Sequence, residues 1–221
     1  MAWSVPAARR LRIRVHGAVQ GVGFRPQVYR LATALGLSGS VRNARDGVQI
    51  EAQGTDDALE ALLAGLRRLP PPVRVAGLEC DCVPPAGDDG FVIAPSETGP
   101  GAALPLPDLA PCADCLAELR DPADRRHAYP FLSCTACGPR YSIIDALPYD
   151  RERTAMAAFT PCAACAAEYA DPLSRRFQHQ ANACPACGPR LTFCNAAGTE
   201  RAQDGRALAA AAAVLRAGGI V

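Results

Sequence analysis

The sequence predicts an α+β protein in which a β-α-β-β-α-β unit is followed by two small cysteine-rich modules. Three observations support this prediction. Strand and helix patterns alternate over residues 9–94, eight cysteines form four pairs after residue 110, and residues 111–142 recur as residues 161–192. The chain has 221 residues, of which 49% are hydrophobic and 20% are charged, as expected of a globular protein with a sizeable core.

The first unit begins with a strand that has one buried face. Leu11, Ile13 and Val15 alternate with basic residues, a period of two that is typical of a half-buried strand. After a Gly-rich turn, apolar residues at helical spacing predict a helix that stops at Gly36. The strand supplies one layer of the core and the helix supplies the other.

Two strands joined by a turn at Asp46-Gly47 follow, and then a helix that Thr55 caps and Pro70 ends. Two more strands follow, so the order is β-α-β-β-α-β with one extra short strand. The four strands after the first are expected at residues 40–43, 48–52, 73–82 and 90–94. This order is the split-βαβ, ferredoxin-like pattern, so we expect a two-layer sandwich over residues 9–96.

The second half of the chain contains an internal repeat. Residues 111–142 and 161–192 align without gaps at an offset of fifty residues, and 16 of the 32 positions are identical, including every cysteine, one glutamate and an Arg-Arg pair. Such a period indicates a duplicated structural unit. Residues 97–110 are rich in Pro and Gly and are expected to form a linker before the first module.

Each repeat carries Cys-x2-Cys-x18-Cys-x2-Cys, a spacing within the range expected of zinc sites. Two residues between cysteines form a tight turn that places both sulfurs about 2.3 Å from one metal ion, and four thiolates leave no open coordination position. The sequence therefore predicts two structural zinc ions, with iron and disulfides as alternatives. We prefer an arrangement in which the four cysteines of one repeat bind one ion. An arrangement in which the two repeats share ligands is the alternative. The predicted ligands are Cys112, Cys115, Cys134, Cys137, Cys162, Cys165, Cys184 and Cys187.

Three cysteines and two histidines near these modules are not counted as ligands. Cys80 and Cys82 lie two positions apart on one predicted strand and are expected to be small buried side chains, and Cys194 lies outside the pattern. His127 and His179 do not occupy equivalent repeat positions. Because four cysteines already complete each site, we expect these histidines at the surface or behind the ligands.

The loop after the first strand, Gly17–Arg25, is rich in glycine. Glycines let consecutive backbone N–H groups point into one concavity, an anion-binding nest beside a helix N-terminus. Arg25 at that terminus is suited to bidentate contact with phosphate oxygens. Considered alone, the glycine-rich loop is weak evidence for an anion site, and a tight strand-to-helix turn is the favoured interpretation.

The pattern Gly-x-Val-Gln-Gly-Val-x-Phe-Arg resembles the signature of the acylphosphatase family, and the stretch from Gly39 to Ile50 is similar to that family's second motif. The resemblance covers residues 9–94, and the split-βαβ order is the family's fold. It implies that Arg25 binds phosphate together with loop amides and that Asn43 orients the attacking water. The implied phosphate-binding loop consists of Val19, Gln20, Gly21, Val22, Gly23 and Phe24.

Such a domain followed by two four-cysteine modules resembles the carbamoyltransferase HypF family of [NiFe]-hydrogenase maturation. Further similar segments include Tyr149-Asp-Arg151. Residues 203–221 contain a helix pattern and then the first two residues of a buried strand. They resemble the start of a YrdC-like domain. We therefore expect the sequence to be a piece of a longer protein. One position departs from the family: Gln178 precedes His179 where the family has histidine directly after Phe177.

The resemblance implies three reactions. The first domain hydrolyses carbamoyl phosphate to carbamate and phosphate, a YrdC-like domain uses ATP to form carbamoyl adenylate, and a further domain passes the carbamoyl group to a cysteine of a HypE-like acceptor, where it becomes cyanide. This sequence holds the residues for the first reaction alone. ATP is therefore an expected cofactor of the full-length protein only.

Composition restricts the partners and leaves two alternatives. The net charge of +1 gives no reason to expect a nucleic-acid partner. The sequence has neither a secretory signal nor an apolar run of membrane-spanning length, so we expect a cytoplasmic location. All 23 basic residues are arginine, which excludes a Schiff-base or P-loop lysine within this sequence. The alternatives are a non-catalytic zinc module that binds a protein or nucleic acid, and a general acylphosphatase with an unrelated zinc appendage.

Overall fold

The computed structural model describes residues 8–97 and 106–221, so residues 98–105 of the expected linker lie outside the described residues. The helices of the described part are α1 (Phe24–Ala34), α2 (Asp56–Leu66), α3 (Ala113–Arg120), α4 (Ala163–Ala170) and α5 (Asp204–Arg216). The strands are β1 (Arg9–Ala18), β2 (Ser38–Ala44), β3 (Gly47–Gly54), β4 (Arg74–Val83), β5 (Phe91–Ile93), β6 (Thr192–Cys194) and β7 (Glu200–Gln203). Short 3-10 helices cover Thr135–Cys137, Tyr141–Ile143, Arg151–Arg153 and Ala155–Ala158.

The first domain is one sheet covered by two helices. Its strand order is β4-β1-β3-β2-β5; β1 is antiparallel to β3 and β4, and β2 is parallel to β5. The alternation predicted for β1 is present, with Leu11, Ile13 and Val15 buried in the core beneath α1 and α2. Thr55 caps α2 by accepting a hydrogen bond from the backbone N–H of Ala58 at 3.3 Å. The α+β class and the ferredoxin-like order are confirmed.

The turn between β2 and β3 lies one residue earlier than expected. Arg45 and Asp46 form it, and Gly47 is already in β3, paired with Ala44. The reason is the close approach of β1, since a Cβ on Gly47 would lie 2.2 Å from the carbonyl oxygen of Val15. Glycine at this position therefore serves strand packing rather than the turn itself.

The expected burial of Cys80 and Cys82 is wrong, because both are exposed. They lie opposite Ile13 and Leu11 in the strand pairing and so share the helix-covered face of the sheet. However, β4 is an edge strand, and its residues 80–82 are exposed. The helices therefore do not cover this end of β4. Cys82 instead accepts a hydrogen bond from the Arg9 guanidinium at 3.2 Å.

The end of the chain differs in part from the expectation. The helix is present as α5, but a small hairpin of β6 and β7 precedes it. Ile220 and Val221 are exposed and belong to no strand. A strand forms only where a partner supplies hydrogen bonds, and the part of the chain that the structure describes supplies none at these two residues.

The two cysteine-rich modules pack together around a small core of their own, and α1 of the first domain docks on the second module. The Arg30 guanidinium donates to the carbonyl oxygens of Pro172 at 2.6 Å and Ser174 at 2.8 Å. The rings of Tyr29 and Phe177 pack with centroids 5.3 Å apart. Burial lowers the pKa of Arg30, although its partners keep it hydrogen-bonded. These contacts fix α1 relative to the second module.

No helix in the described ranges combines the length and the apolar character needed to cross a membrane.

Gly39 tests how tightly the centre of the sheet is packed. Its φ is +130°, and a Cβ there would lie 2.0 Å from the carbonyl oxygen of Glu51. We expect Gly39→Ala to destabilise the fold by about 3 kcal/mol or more, because the β2–β3 backbones must separate. Urea unfolding measures the change. Gly87→Ala is the matched control, since no atom lies within 4 Å of its added Cβ. Equal stability of the two variants would contradict this tight packing.

Candidate functional site

The loop between β1 and α1 has the geometry of an anion-binding nest. Gly21 and Gly23 are both left-handed, with φ of +72°, and Gly23 is the N-cap of α1. Within the described residues, the backbone N–H groups of residues 20–23 have no hydrogen-bond acceptor. Amides left free in this way, at a helix N-terminus, are suited to an anion.

Apolar side chains and one glutamine hold this loop in place. Val19, Val22 and Phe24 are buried in the core of the first domain, which fixes every second or third residue of the loop. The Gln20 side chain donates from Nε2 to the carbonyl oxygens of Ala44 at 2.9 Å and Gly47 at 2.8 Å. The side chain of Gln20 therefore anchors the loop to the β2–β3 hairpin, leaving its backbone N–H for a ligand.

The structure brings Arg25 and Asn43 to the same end of the sheet. Arg25 lies in the first turn of α1, and its Nη1 is 3.3 Å from Ser96 Oγ. Asn43 lies near the end of β2, and its carbonyl oxygen accepts a hydrogen bond from the Glu97 N–H at 3.0 Å. The short segment of Ser96 and Glu97 thus contacts both residues.

The Asn43 side chain is the most informative polar group of the site. It is 1% exposed, and neither its Oδ1 nor its Nδ2 has a hydrogen-bond partner among the residues the structure describes. An unsatisfied buried polar group costs about 1–3 kcal/mol, so a side chain kept in this state is suited to a ligand or a reacting water.

Residues of the first module and of the segment between the modules cover the loop. A Cβ on Gly21 would lie 2.9 Å from Pro139 Cβ and 3.2 Å from Tyr149 Cδ1, and one on Gly23 would lie 2.8 Å from Thr135 Cβ. Only glycine permits this approach. A cleft of about 690 Å³ opens beside Arg25, and a smaller space of about 20 Å³ lies against the loop itself.

Sequence reasoning missed that Asp150 contacts the site. Its Oδ1 accepts a hydrogen bond from Arg25 Nη2 at 2.9 Å, and both side chains are largely buried, at 14% and 11% exposure. The available signal was the Tyr149-Asp-Arg151 segment, which carries family resemblance but lies outside both four-cysteine patterns. Its partner is 125 residues away in the sequence, and no local periodicity reports such a contact.

The eight predicted metal ligands form two groups of four, each from a single repeat. The closest sulfur pairs are 3.6–3.8 Å apart in both groups. A tetrahedral ion with metal–sulfur bonds of about 2.3 Å requires sulfur–sulfur separations of about 3.8 Å. The clusters are thus able to bind a metal ion, and their sulfurs are grouped in the sequential arrangement that was preferred, each group within one repeat.

The first cysteine of each cluster is the N-cap of a helix, Cys112 for α3 and Cys162 for α4. A helix N-terminus stabilises a thiolate. Accordingly, the backbone N–H of Cys165 lowers the pKa of Cys162 to about 6. Metal binding requires the thiolate form, so this position favours ligation at neutral pH.

Each cluster is bordered by an arginine of the other module. Arg175 donates to Cys115 Sγ at 2.8 Å, and Arg125 donates from both Nη atoms to Cys165 Sγ at 3.4 Å. The repeat positions are equivalent, so the contacts are reciprocal.

The second arginine of each pair also crosses over. Arg126, 2% exposed, donates to both carboxylate oxygens of Glu168 at 2.6 and 2.9 Å, and Arg176 does the same with Glu118. Burial raises the pKa of Glu168, but the hydrogen bonds from Arg126 and Arg125 outweigh it and hold that pKa at about 2. The two modules are therefore joined by exchanged ion pairs.

The histidines have the peripheral roles expected of them. His127 is exposed. His179 is buried, with its Nε2 2.8 Å from Ser133 Oγ of the first module. Burial and the nearby Arg176 charge lower the pKa of His179 to about 3, so it stays neutral. His179 joins the two modules without contributing to either group of four thiols.

Removing one of the exchanged carboxylates tests their contribution. We expect Glu168→Gln to lower the free energy of unfolding by about 3–5 kcal/mol, because it removes the carboxylate that forms the bidentate ion pair with the buried Arg126 guanidinium. The folded-state pKa of about 2 lies below the unfolded value, so the carboxylate's contribution is complete above about pH 5 and is lost only as the pH falls towards 2. The deficit should therefore be constant between about pH 5.5 and 8.

Urea unfolding across that pH range measures the deficit, with the exposed Glu60→Gln on α2 as the control. A Glu168→Gln protein as stable as the Glu60→Gln protein would show that the exchange contributes nothing to stability.

Comparison with known proteins agrees with both halves of the chain. The acylphosphatase family model matches residues 11–93, and the HypF finger model matches residues 112–144 and 162–194. An acylphosphatase of a Synechococcus species is 41% identical over 96 residues, which are 43% of this chain and 82% of that protein. Carbamoyltransferase HypF2 of Cupriavidus necator is 54% identical over 158 residues, which are 70% of this chain and 20% of that protein.

The crystal structure of full-length HypF in a phosphate- and nucleotide-bound form superposes with a TM-score of 0.82 at 36% identity, covering 97% of this chain and 28% of that one. This chain thus spans about a fifth of the length of the HypF relatives that it matches. It belongs to the carbamoyltransferase HypF family, with an acylphosphatase domain followed by a pair of HypF fingers.

Proposed function

We propose that the first domain hydrolyses carbamoyl phosphate to carbamate and phosphate. The observation that carries this proposal is the buried, unpartnered carboxamide of Asn43 at the sheet end that also holds Arg25 and a loop of free amides, all within the described residues. Phosphoryl transfer depends mainly on positioning the reactants and on stabilising the charge of the phosphoryl group. A guanidinium, a carboxamide and free backbone amides are the kinds of group that this reaction requires. The phosphate-bound form of the matched HypF structure supports an anion site in this family.

In this proposal each residue has a separate role. The free amides of the loop and the Arg25 guanidinium bind the three terminal phosphate oxygens and stabilise the charge that develops on them. The Asn43 carboxamide accepts a hydrogen bond from a water and orients it towards phosphorus. The water oxygen joins phosphorus as the bond between phosphorus and the bridging oxygen breaks. Carbamate leaves with the bridging oxygen, and both protons of the water stay on the phosphate.

Two variants test the assignment of residues. We expect Arg25→Ala to reduce the rate of phosphate release from carbamoyl phosphate about 10²–10³-fold, because a fixed donor to the phosphoryl oxygens is lost. Asn43→Ala should reduce it about 10²-fold, because the water loses its orientation. Arg14→Ala on the outer face of β1 is the control and should stay within about twofold of the parent. If Arg25→Ala and Asn43→Ala release phosphate as fast as the parent, the site assignment is wrong.

We further propose that the metal in each finger is zinc. Four cysteines at tetrahedral spacing favour Zn²⁺ over harder cations, and a closed set of four thiolates indicates a structural ion. The reciprocal arginines hydrogen-bond to the ligand sulfurs from the opposite module, so we expect each to influence the metal affinity of the cluster it touches.

Zinc release tests this arrangement. The parent should contain two zinc ions per chain. In Arg175→Ala, one of the two should transfer to a chromophoric chelator about 10- to 100-fold faster, because the hydrogen bond to the Cys115 sulfur is gone. Arg190→Ala, in the same module but exposed, is the control. If both zinc ions leave Arg175→Ala at the parental rates, the contact between Arg175 and the Cys115 sulfur has no role in metal retention.

The hydrolysis is proposed as the first step of an ATP-dependent carbamoyl transfer. The HypF relatives are named carbamoyltransferases, and this chain spans about a fifth of them. We propose that the full-length protein activates carbamate with ATP and delivers the carbamoyl group to a HypE-like acceptor for cyanide synthesis in [NiFe]-hydrogenase maturation. The domain limits of residues 9–96, 111–142, 161–192 and 203–221, the last as the start of a YrdC-like domain, belong to this proposal.

The alternative of a nucleic-acid-binding zinc module is less well supported. Such a module presents its basic residues to solvent as a continuous surface. Here the arginine pairs that recur in both repeats are used within the protein, on Glu118, Glu168 and the cysteine sulfurs. That leaves the structural role as the better account of the fingers.

A further inference from the structure

We infer that Asp150 is a positioning residue for acyl phosphate hydrolysis, holding the Arg25 guanidinium in the orientation that binds the phosphoryl group. The inference rests on the proposed function and deepens it, because it makes the segment between the fingers a part of the site. Asp150 lies outside both the loop and the Asn43 motif.

The contact leaves the guanidinium able to bind phosphate. Of the five N–H groups of an arginine, one Nη2–H points to Asp150 Oδ1 at 2.9 Å and one Nη1–H points to Ser96 Oγ at 3.3 Å. Within the described residues, three N–H groups are then left for phosphate oxygens. Anchors on both terminal nitrogens fix the plane of the guanidinium, which is the condition for bidentate contact.

Asp150 is itself held from the second finger. Arg151, the next residue, donates its backbone N–H to Gln180 Oε1 at 2.9 Å, and its guanidinium donates to the carbonyl oxygens of Gln180 and Asn182 at 2.9 Å and of Phe159 at 2.6 Å. The Asp150 carbonyl oxygen accepts from the Arg153 N–H at 2.9 Å. A carboxylate on such a support is preorganised, because the order of its own backbone does not depend on the ligand.

The opposite role, a carboxylate that competes with phosphate for Arg25, makes the opposite prediction. A competitor lowers phosphate affinity, so removing it improves binding and turnover. A positioning residue restrains Arg25, so removing it lets the side chain occupy unproductive rotamers. The rotamer freedom of an arginine is worth about 2 kcal/mol, which sets an upper limit of about 30-fold on the loss.

The test uses Asp150→Ala and Asp150→Asn in the same chain. In Asp150→Ala we expect kcat/KM for carbamoyl phosphate to fall about 10- to 30-fold and inhibition by inorganic phosphate to weaken several-fold. Asp150→Asn keeps an oxygen that accepts from Arg25 Nη2 and should stay within about threefold of the parent. Glu152→Gln is the matched control, since Glu152 lines the same cleft and forms no ion pair with Arg25 in the described part of the chain.

Thermal unfolding and metal content of each variant separate this role from a merely structural one. Rescue by asparagine, with unchanged unfolding temperature, supports positioning. Turnover or phosphate affinity in Asp150→Ala equal to or above that of the parent overturns it.

Calorimetric titration with inorganic phosphate distinguishes this inference from the proposed function. A parent chain that binds phosphate without hydrolysing carbamoyl phosphate would contradict the proposed function, and weaker phosphate binding in Asp150→Ala would still support positioning. A parent that does neither overturns both.

Discussion

Each cysteine cluster is bordered by the arginines of the other finger, and this exchange is the constraint on which the rest of the structure depends. Arg126 is nearly inaccessible to solvent, and Glu168 from the opposite repeat neutralises it. Four thiolates around a divalent ion carry a net charge of −2, so the crossed guanidinium also offsets excess charge at the neighbouring site. Neither finger can therefore be complete without its partner, and the pair behaves as one support.

That support determines the surroundings of the loop between β1 and α1. Arg151 ties the segment between the fingers to the second one, and Thr135 and Pro139 of the first finger meet the glycines of the loop. Gly21 and Gly23 thus meet two requirements: a left-handed backbone, and the absence of a side chain where the first finger and Tyr149 approach. In the proposed site the acylphosphatase domain contributes Arg25, Asn43 and the loop amides, and the finger region contributes the surrounding walls and the ion pair from Asp150.

Much of this arrangement could be predicted from the sequence, and the rest could not for physical reasons. Period-two alternation identified β1, and the spacing of cysteines identified both clusters, because these patterns are local. Alternation assigns a residue to a face of the sheet but does not say how far the helices cover that face, so the expected burial of Cys80 and Cys82 was wrong. The contacts of Asp150 and of the crossed arginines join residues 39 to 125 positions apart. No single-sequence pattern reports such distances.

The reciprocal contacts between the fingers have the form of an isologous interface, in which residue i of one copy meets residue j of the other and the reverse holds as well. Two identical fingers related in this way would present the same surface on both sides of the pair. The segment that carries Asp150 occurs once, between the repeats, so the two sides of the pair differ. The pair of fingers is therefore nearly twofold in its internal contacts but not in its outer surface: a single face contacts the loop between β1 and α1, so one acylphosphatase domain is bound for each pair of fingers.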